Sequence, residues 1–530
     1  MRLSAAALIA CTALSVPVLA HDEHAHGGLS QVGKVAFANS CSPAVQDEFA
    51  TGVAMLHSFW WSAGEQAFRS VLAKDPGCAI ASWGIAALMM NNALAGVGAT
   101  PDSAAKAQAA IEQGRSIGAK TQRERDYIEA VAVYYQDFTA RPERIRQINR
   151  AAAFQALAAK YPDDDEAQIF SALYIAGTQS QADQTYAAYG KAVAILTPQL
   201  AKHPDHPGIA HYLIHSFDAP PIAAQGLPAA IAYAKIAPDA PHAQHMPSHI
   251  FTRVGAWPDS AAANQRAFAA ALTGREYSEA QHASDYMVYA DLQMARDAAA
   301  LAAMQAAFAV TVPAPVPPAT AYARAAMPAR VLVERGDWAG AAKLPAPDSR
   351  LQPYGANALP LFARAIGAAR SGDVNAAALD TEQLRIVQKA LAEAGSTYWA
   401  TEVGIQVTTA EAWTAFARGD TAAALAMMRD AANREDKQEK HIVTPGRILP
   451  ARELLADMLL EAGQPAAALV EYEQSQIRDP HRFRGYYGAA RAADAAGEAD
   501  KAAQYKRSLL ELAKDADTGR AELAWAKGRG

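Results

Sequence analysis

The chain has 530 residues, 51% of them hydrophobic and 19% charged, with a formal net charge of −6. That length exceeds one ordinary core and calls for several domains or a repeat array. The alanine-rich, low-charge composition excludes a disordered chain, and the lack of a basic stripe excludes nucleic acid as a partner.

Residues 1–20, MRLSAAALIACTALSVPVLA, carry one Arg and then an apolar run ending in Val18-Leu19-Ala20. This is the layout of an export signal cut after Ala20, and it predicts a periplasmic or secreted protein. The rival reading takes Leu8-Ile9-Ala10-Cys11 as a lipoprotein box, which leaves an unusually short apolar run. Cleavage would expose His21, with His24 and His26 close behind, at the start of a His-rich lead-in over 21–43. Such a tail has loose metal affinity. No later stretch is long and apolar enough for a bilayer, so no stable membrane span is expected after signal removal.

Outside the signal the cysteines are Cys41 and Cys78, an even pair suited to an oxidising compartment. Cys41 stands just before the first repeat, and Cys78 follows Asp75-Pro76, where the next begins. In a stack of helix pairs the starts of successive repeats are neighbours, so a structural disulfide is expected. The lack of CxxC spacing argues against a redox pair.

The repeat is cleanest near the C-terminus. Ala456, Gly463 and Ala468 recur 34 residues later as Ala490, Gly497 and Ala502. Small residues let two helices approach, and glycine makes the turn between them. The same turn recurs as Arg335-Gly336-Asp337-Trp338, Ser371-Gly372-Asp373 and Arg418-Gly419-Asp420. These residues, with Gly52, Phe68 and Pro76 near the start, resemble the tetratricopeptide repeat family over most of 44–512. The stretches SCSPAVQDEFATGVAMLHSFWW, HYLIHSFD and HMPSHIFTRVG are similar to exported bacterial members. The resemblance implies an all-α fold, a tetratricopeptide-like α-solenoid of stacked antiparallel helix pairs forming a superhelix with a concave groove. The four prolines between 310 and 321 read as a linker. It separates an N-terminal stack over 44–309 from a plainer one over 322–515, followed by a tail over 516–530.

Eight of the fourteen histidines lie between His203 and His282. His211 and His215 are four apart, as are His245 and His249, and the pairs are separated by 34 residues (245 − 211). Four apart shares one helix face. Pro247, between His245 and His249, is tolerated in a first helical turn. Counting back from the turn positions Gly255 and Ala295, the resemblance places His242, His245 and His249, then His282, Asp285 and Tyr289, toward the groove. His57 counts to the groove side as well, but it lies several repeats away and is left out of the site.

His211, His215, His245, His249 and Asp285 are therefore candidate ligands for a divalent transition metal such as zinc, copper or iron. His242, His282, Tyr286 and Tyr289 are candidate ligand-binding groups around them, the tyrosines as hydrogen-bond donors behind the ligands. Arg253 is a candidate for meeting an anion. Neither pair has the glutamate of HExxH, and there is no P-loop, GxSxG or dinucleotide fingerprint. Two readings stand. The groove binds a peptide or protein partner, as tetratricopeptide grooves commonly do, or it holds a metal. In the second case an ion would activate water or oxygen, with Asp285 or Tyr289 handling the proton.

Overall fold

In a computed structural model, residues 31–347 and 353–528 are described, and among them there is no strand. The export-signal reading and the His21, His24 and His26 tail lie outside those residues. Successive helices pack as hairpins: Gln46–His57 with Trp61–Lys74, Asp165–Ala176 with Ala187–Lys202, Pro207–Phe217 with Leu227–Ile236, and so on to Phe483–Ala495 with Ala499–Leu512. The fold is the expected all-α helical-repeat solenoid. Among the described residues no helix is long and apolar enough to cross a membrane.

The Gly-Asp turns show why this sequence makes hairpins. Gly336, Gly372 and Gly419 take φ of 67°, 87° and 88°, a left-handed region that closes a helix and disfavours side chains. The next residue then caps the following helix. Asp337, Asp373 and Asp420 accept from the backbone N–H of Gly340, Ala376 and Ala423 at 2.8, 3.0 and 3.2 Å, satisfying donors that a helix start leaves open. Ala295, counted as a turn position despite its side chain, has φ 54°.

Cys41 and Cys78 are joined in a disulfide across the first two hairpins. Helix Tyr277–Gln293 packs on Pro318–Glu334, beyond the irregular proline stretch 310–317. Residues 31–530 form one compact unit.

A second irregular stretch, 436–450, joins helices Thr421–Glu435 and Ala451–Glu461 and is buried throughout 438–446. Buried non-helical backbone needs partners for its carbonyls, and side chains supply them. Tyr286 Oη lies 3.1 Å from both Ile442 O and Thr444 O. Arg330 donates to Gly446 O at 2.7 Å and Arg447 O at 3.0 Å. Tyr398 donates to Glu439 O at 3.1 Å.

Candidate metal centre

The repeat spacing brings the histidine helices into register. Helix Pro207–Phe217 presents His211 and His215, Pro241–His245 presents His242 and His245, Pro247–Arg253 presents His249, and Tyr277–Gln293 presents His282. Pro247 divides what would be one helix into two short ones, with His245 and His249 on either side of the break. All six imidazoles are buried. They form two groups, His211 with His215 and His242, and His245 with His249 and His282, each with three ring nitrogens within 4.8 Å of one another.

In the first group, His211 Nδ1 donates to the His57 carbonyl at 2.7 Å, and His242 Nδ1 donates to Glu279 Oε1 at 3.0 Å. These bonds put the proton on Nδ1 and leave Nε2 with its lone pair. Both Nε2 atoms, and both nitrogens of His215, have no hydrogen-bond partner. In the second group, His245 Nδ1 lies 2.6 Å from Asn264 Oδ1. The Asn264 amide nitrogen donates to Ser260 O at 2.7 Å, so the oxygen faces the ring and accepts from it. His249 Nδ1 donates to Asp218 Oδ2 at 2.9 Å. With both Nδ1 positions carrying the proton, His245 Nε2 and His249 Nε2 face each other at 3.1 Å. His282 Nδ1 adds another unpartnered nitrogen.

Electrostatics keep five of these rings, those of His211, His215, His245, His249 and His282, neutral. Burial pushes His211, His215 and His245 well below the ordinary imidazole value, aided by neighbouring histidines. It holds His282 at about 3. For His249 burial also outweighs the opposing pull of Asp218. Asp218 is itself already countered by Arg253, at 2.7 Å, and Lys440, at 3.3 Å. A buried polar group without a partner costs about 1–3 kcal/mol.

The structure corrects several expectations. Asp285 does not join the histidines. It pairs with Arg330, Nε to Oδ1 at 2.8 Å, because that fully buried guanidinium requires a counterion. Tyr289 turns to Arg482, so neither residue is placed to handle a proton at the cluster. Tyr286 does reach it, with its ring centroid 4.7 Å from that of His245. Arg253 is held by Asp218 and lies 3.6 Å from Glu439, and so is committed rather than open to an anion.

Asp218, Asn264 and Glu279 were missed, although Asp218 and Glu279 each stand three residues from a histidine of the cluster. A third constellation was also missed. Glu166 accepts from His57 and His206, both at 3.0 Å, while His57 Nδ1 lies 2.8 Å from Tyr212 Oη. Its ring nitrogens are all taken, by Glu166, Tyr212 Oη and the Ile209 N–H, which makes it a hydrogen-bonded support behind His211 rather than an open ligand set.

No protein-family model and no curated protein matches the chain. Among solved structures, the human IFIT1 dimer with m7Gppp-AAAA is similar at 11% identity over 78% of this chain and 87% of that one, with a TM-score of 0.36. The P58(IPK) TPR domain is similar at 15% identity over 69% and 98%, with a TM-score of 0.21. The APC/C hetero-tetramer Cut9–Hcn1 is similar at 10% over 91% and 96%, with a TM-score of 0.30. The functional reading therefore rests on the side chains of the site.

Proposed function

We propose that this helical-repeat protein binds transition metal ions at its two three-histidine groups. The observation that carries the reading is the 3.1 Å approach of His245 Nε2 to His249 Nε2 with both Nδ1 protons committed elsewhere. Two lone pairs at that distance repel unless a cation or a proton lies between them. A proton would make one ring an imidazolium, which burial and the cations around Asp218 oppose. A shared ion with metal–nitrogen bonds of ~2.0–2.1 Å places its ligand nitrogens about 3.0–3.4 Å apart, matching the approach. One water has only two protons to give, whereas three converging lone pairs suit a single cation. Imidazole suits zinc, copper, iron and nickel, and excludes magnesium and calcium. Export after Ala20 belongs to the same proposal, and the Cys41–Cys78 disulfide agrees with an oxidising compartment.

Elemental analysis of protein purified without chelator, before and after metal loading, tests this. Bound metal is expected, and it is expected to vanish in a variant carrying His245→Ala and His249→Ala whose helical circular dichroism is retained. Less than about a tenth of an equivalent in the parent chain would refute the proposal.

A second reading keeps the concave wall as a site for a peptide or protein partner. It is favoured by the way Tyr286 and Arg330 hold main-chain carbonyls of an irregular stretch, as a peptide groove holds its ligand's main chain. The stretch they hold is the chain's own 436–450, so a partner would have to displace it. Pull-down by the parent chain and by a Tyr286→Phe variant separates the two cases: a partner that competes for this wall binds the variant better.

A further inference from the structure

We infer that the two groups work as one binuclear copper site. This rests on the metal-binding reading just proposed. The groups are not separate in space. His242 and His245 lie on one short helix with ring centroids 5.9 Å apart, and His215 faces His249 across the layers at 5.4 Å. The two three-nitrogen groups therefore stand side by side, the adjacency that a two-metal site with ions ~3.5–4 Å apart requires.

The ligand chemistry selects the element. Six imidazoles supply only neutral nitrogen. The nearby carboxylates, Glu279 and Asp218, approach the Nδ1 side of His242 and His249, where they orient the rings and stay off the ions. Nitrogen sites follow an affinity order in which copper exceeds zinc, nickel and iron. Charge points the same way. Two zinc ions would bring four positive charges into a buried site whose Asp218 is already balanced by Arg253 and Lys440. Copper can also enter as two cuprous ions with half that charge, a form zinc lacks, and burying uncompensated charge is costly.

Electron paramagnetic resonance on copper-loaded, oxidised protein, with total copper measured on the same sample, tests the inference. The expected result is two coppers per chain with most of the cupric signal lost to spin coupling. His215→Gln and His282→Gln each break one group, so each should retain about one copper and regain an ordinary single-ion signal. Two coppers giving two full, independent signals, or a single copper in the parent chain, would overturn the pair and leave metal binding intact. No bound copper or other metal would overturn both readings. Displacement of copper by an equal concentration of zinc would overturn the choice of element. Circular dichroism confirms that each variant is folded, and if one glutamine variant misfolds, the other carries the comparison.

Discussion

Four of the six imidazoles have their Nδ1–H fixed by a named acceptor: the His57 carbonyl, Glu279, Asn264 and Asp218. Acceptors behind a ligand set its tautomer and orientation, and removing one typically weakens metal binding 10–100-fold. Glu279→Gln should therefore lower affinity about tenfold or more while leaving the fold intact, as read by competition with a chromogenic chelator. Unchanged affinity would remove Glu279 from the site. The same burial makes acid the weak side of the metal-free protein. His57 is held at about 4 and His282 at about 3, with His211, His215, His245, His249 and His441 also lowered. Below the unfolded value near 6.5 the unfolded chain takes up protons that the folded one refuses. Stability is thus full above about pH 6.5 and falls toward pH 4, by up to ~1.4 kcal/mol per pH unit for each such histidine. Urea midpoints at pH 7, 6 and 5 should drop steeply without metal and less steeply with it, whereas a flat profile would contradict neutral burial.

The helix pair was legible in the sequence because a turn glycine and the aspartate after it have one physical use, which Gly372-Asp373 and Gly419-Asp420 both show. A comparison of two turns checks this. At Gly255, φ is 70° and an added Cβ would lie 2.8 Å from the His481 side chain and from Pro480 O, whereas at Gly463, φ is 72° with nothing within 4 Å. Gly463→Ala should cost about 1 kcal/mol from backbone strain alone, and Gly255→Ala clearly more. Equal losses in denaturant midpoint would refute the difference in packing. The face of each helix was legible only in part. Periodicity put His282, Asp285 and Tyr289 on one wall, but tertiary partners decide which of them reaches the cluster. The arginines that draw Asp285 and Tyr289 aside, Arg330 and Arg482, stand 45 and 193 residues further along the chain. Nothing local in the sequence announces such partners. Asn264 was hidden for the same reason, since an asparagine in an alanine-rich helix has no marker until His245 is opposite it.

At the scale of the molecule, the inner wall that a groove-binding solenoid leaves open is filled by residues 436–450, with His441 Nε2 3.1 Å from Ala95 O and Lys440 beside Asp218. Composition and spacing fixed the repeat but carried no sign of this stretch, because burying an irregular segment depends on donors collected from distant repeats. The opposite end is held by the disulfide, which closes a loop with a sequence separation of 37. Replacing Cys41 and Cys78 by serine should cost about 2–4 kcal/mol in stability, measured as a lowered denaturant midpoint. An unchanged midpoint would mean that the first hairpins hold without the bond. The central claim, that histidines from consecutive repeats converge on shared ions, is tested most directly by anomalous diffraction from crystals of the copper-loaded chain. Two peaks are expected, one within ligand distance of His211, His215 and His242 and one within ligand distance of His245, His249 and His282. Peaks only at surface side chains, or only at the His21, His24 and His26 tail, would contradict it.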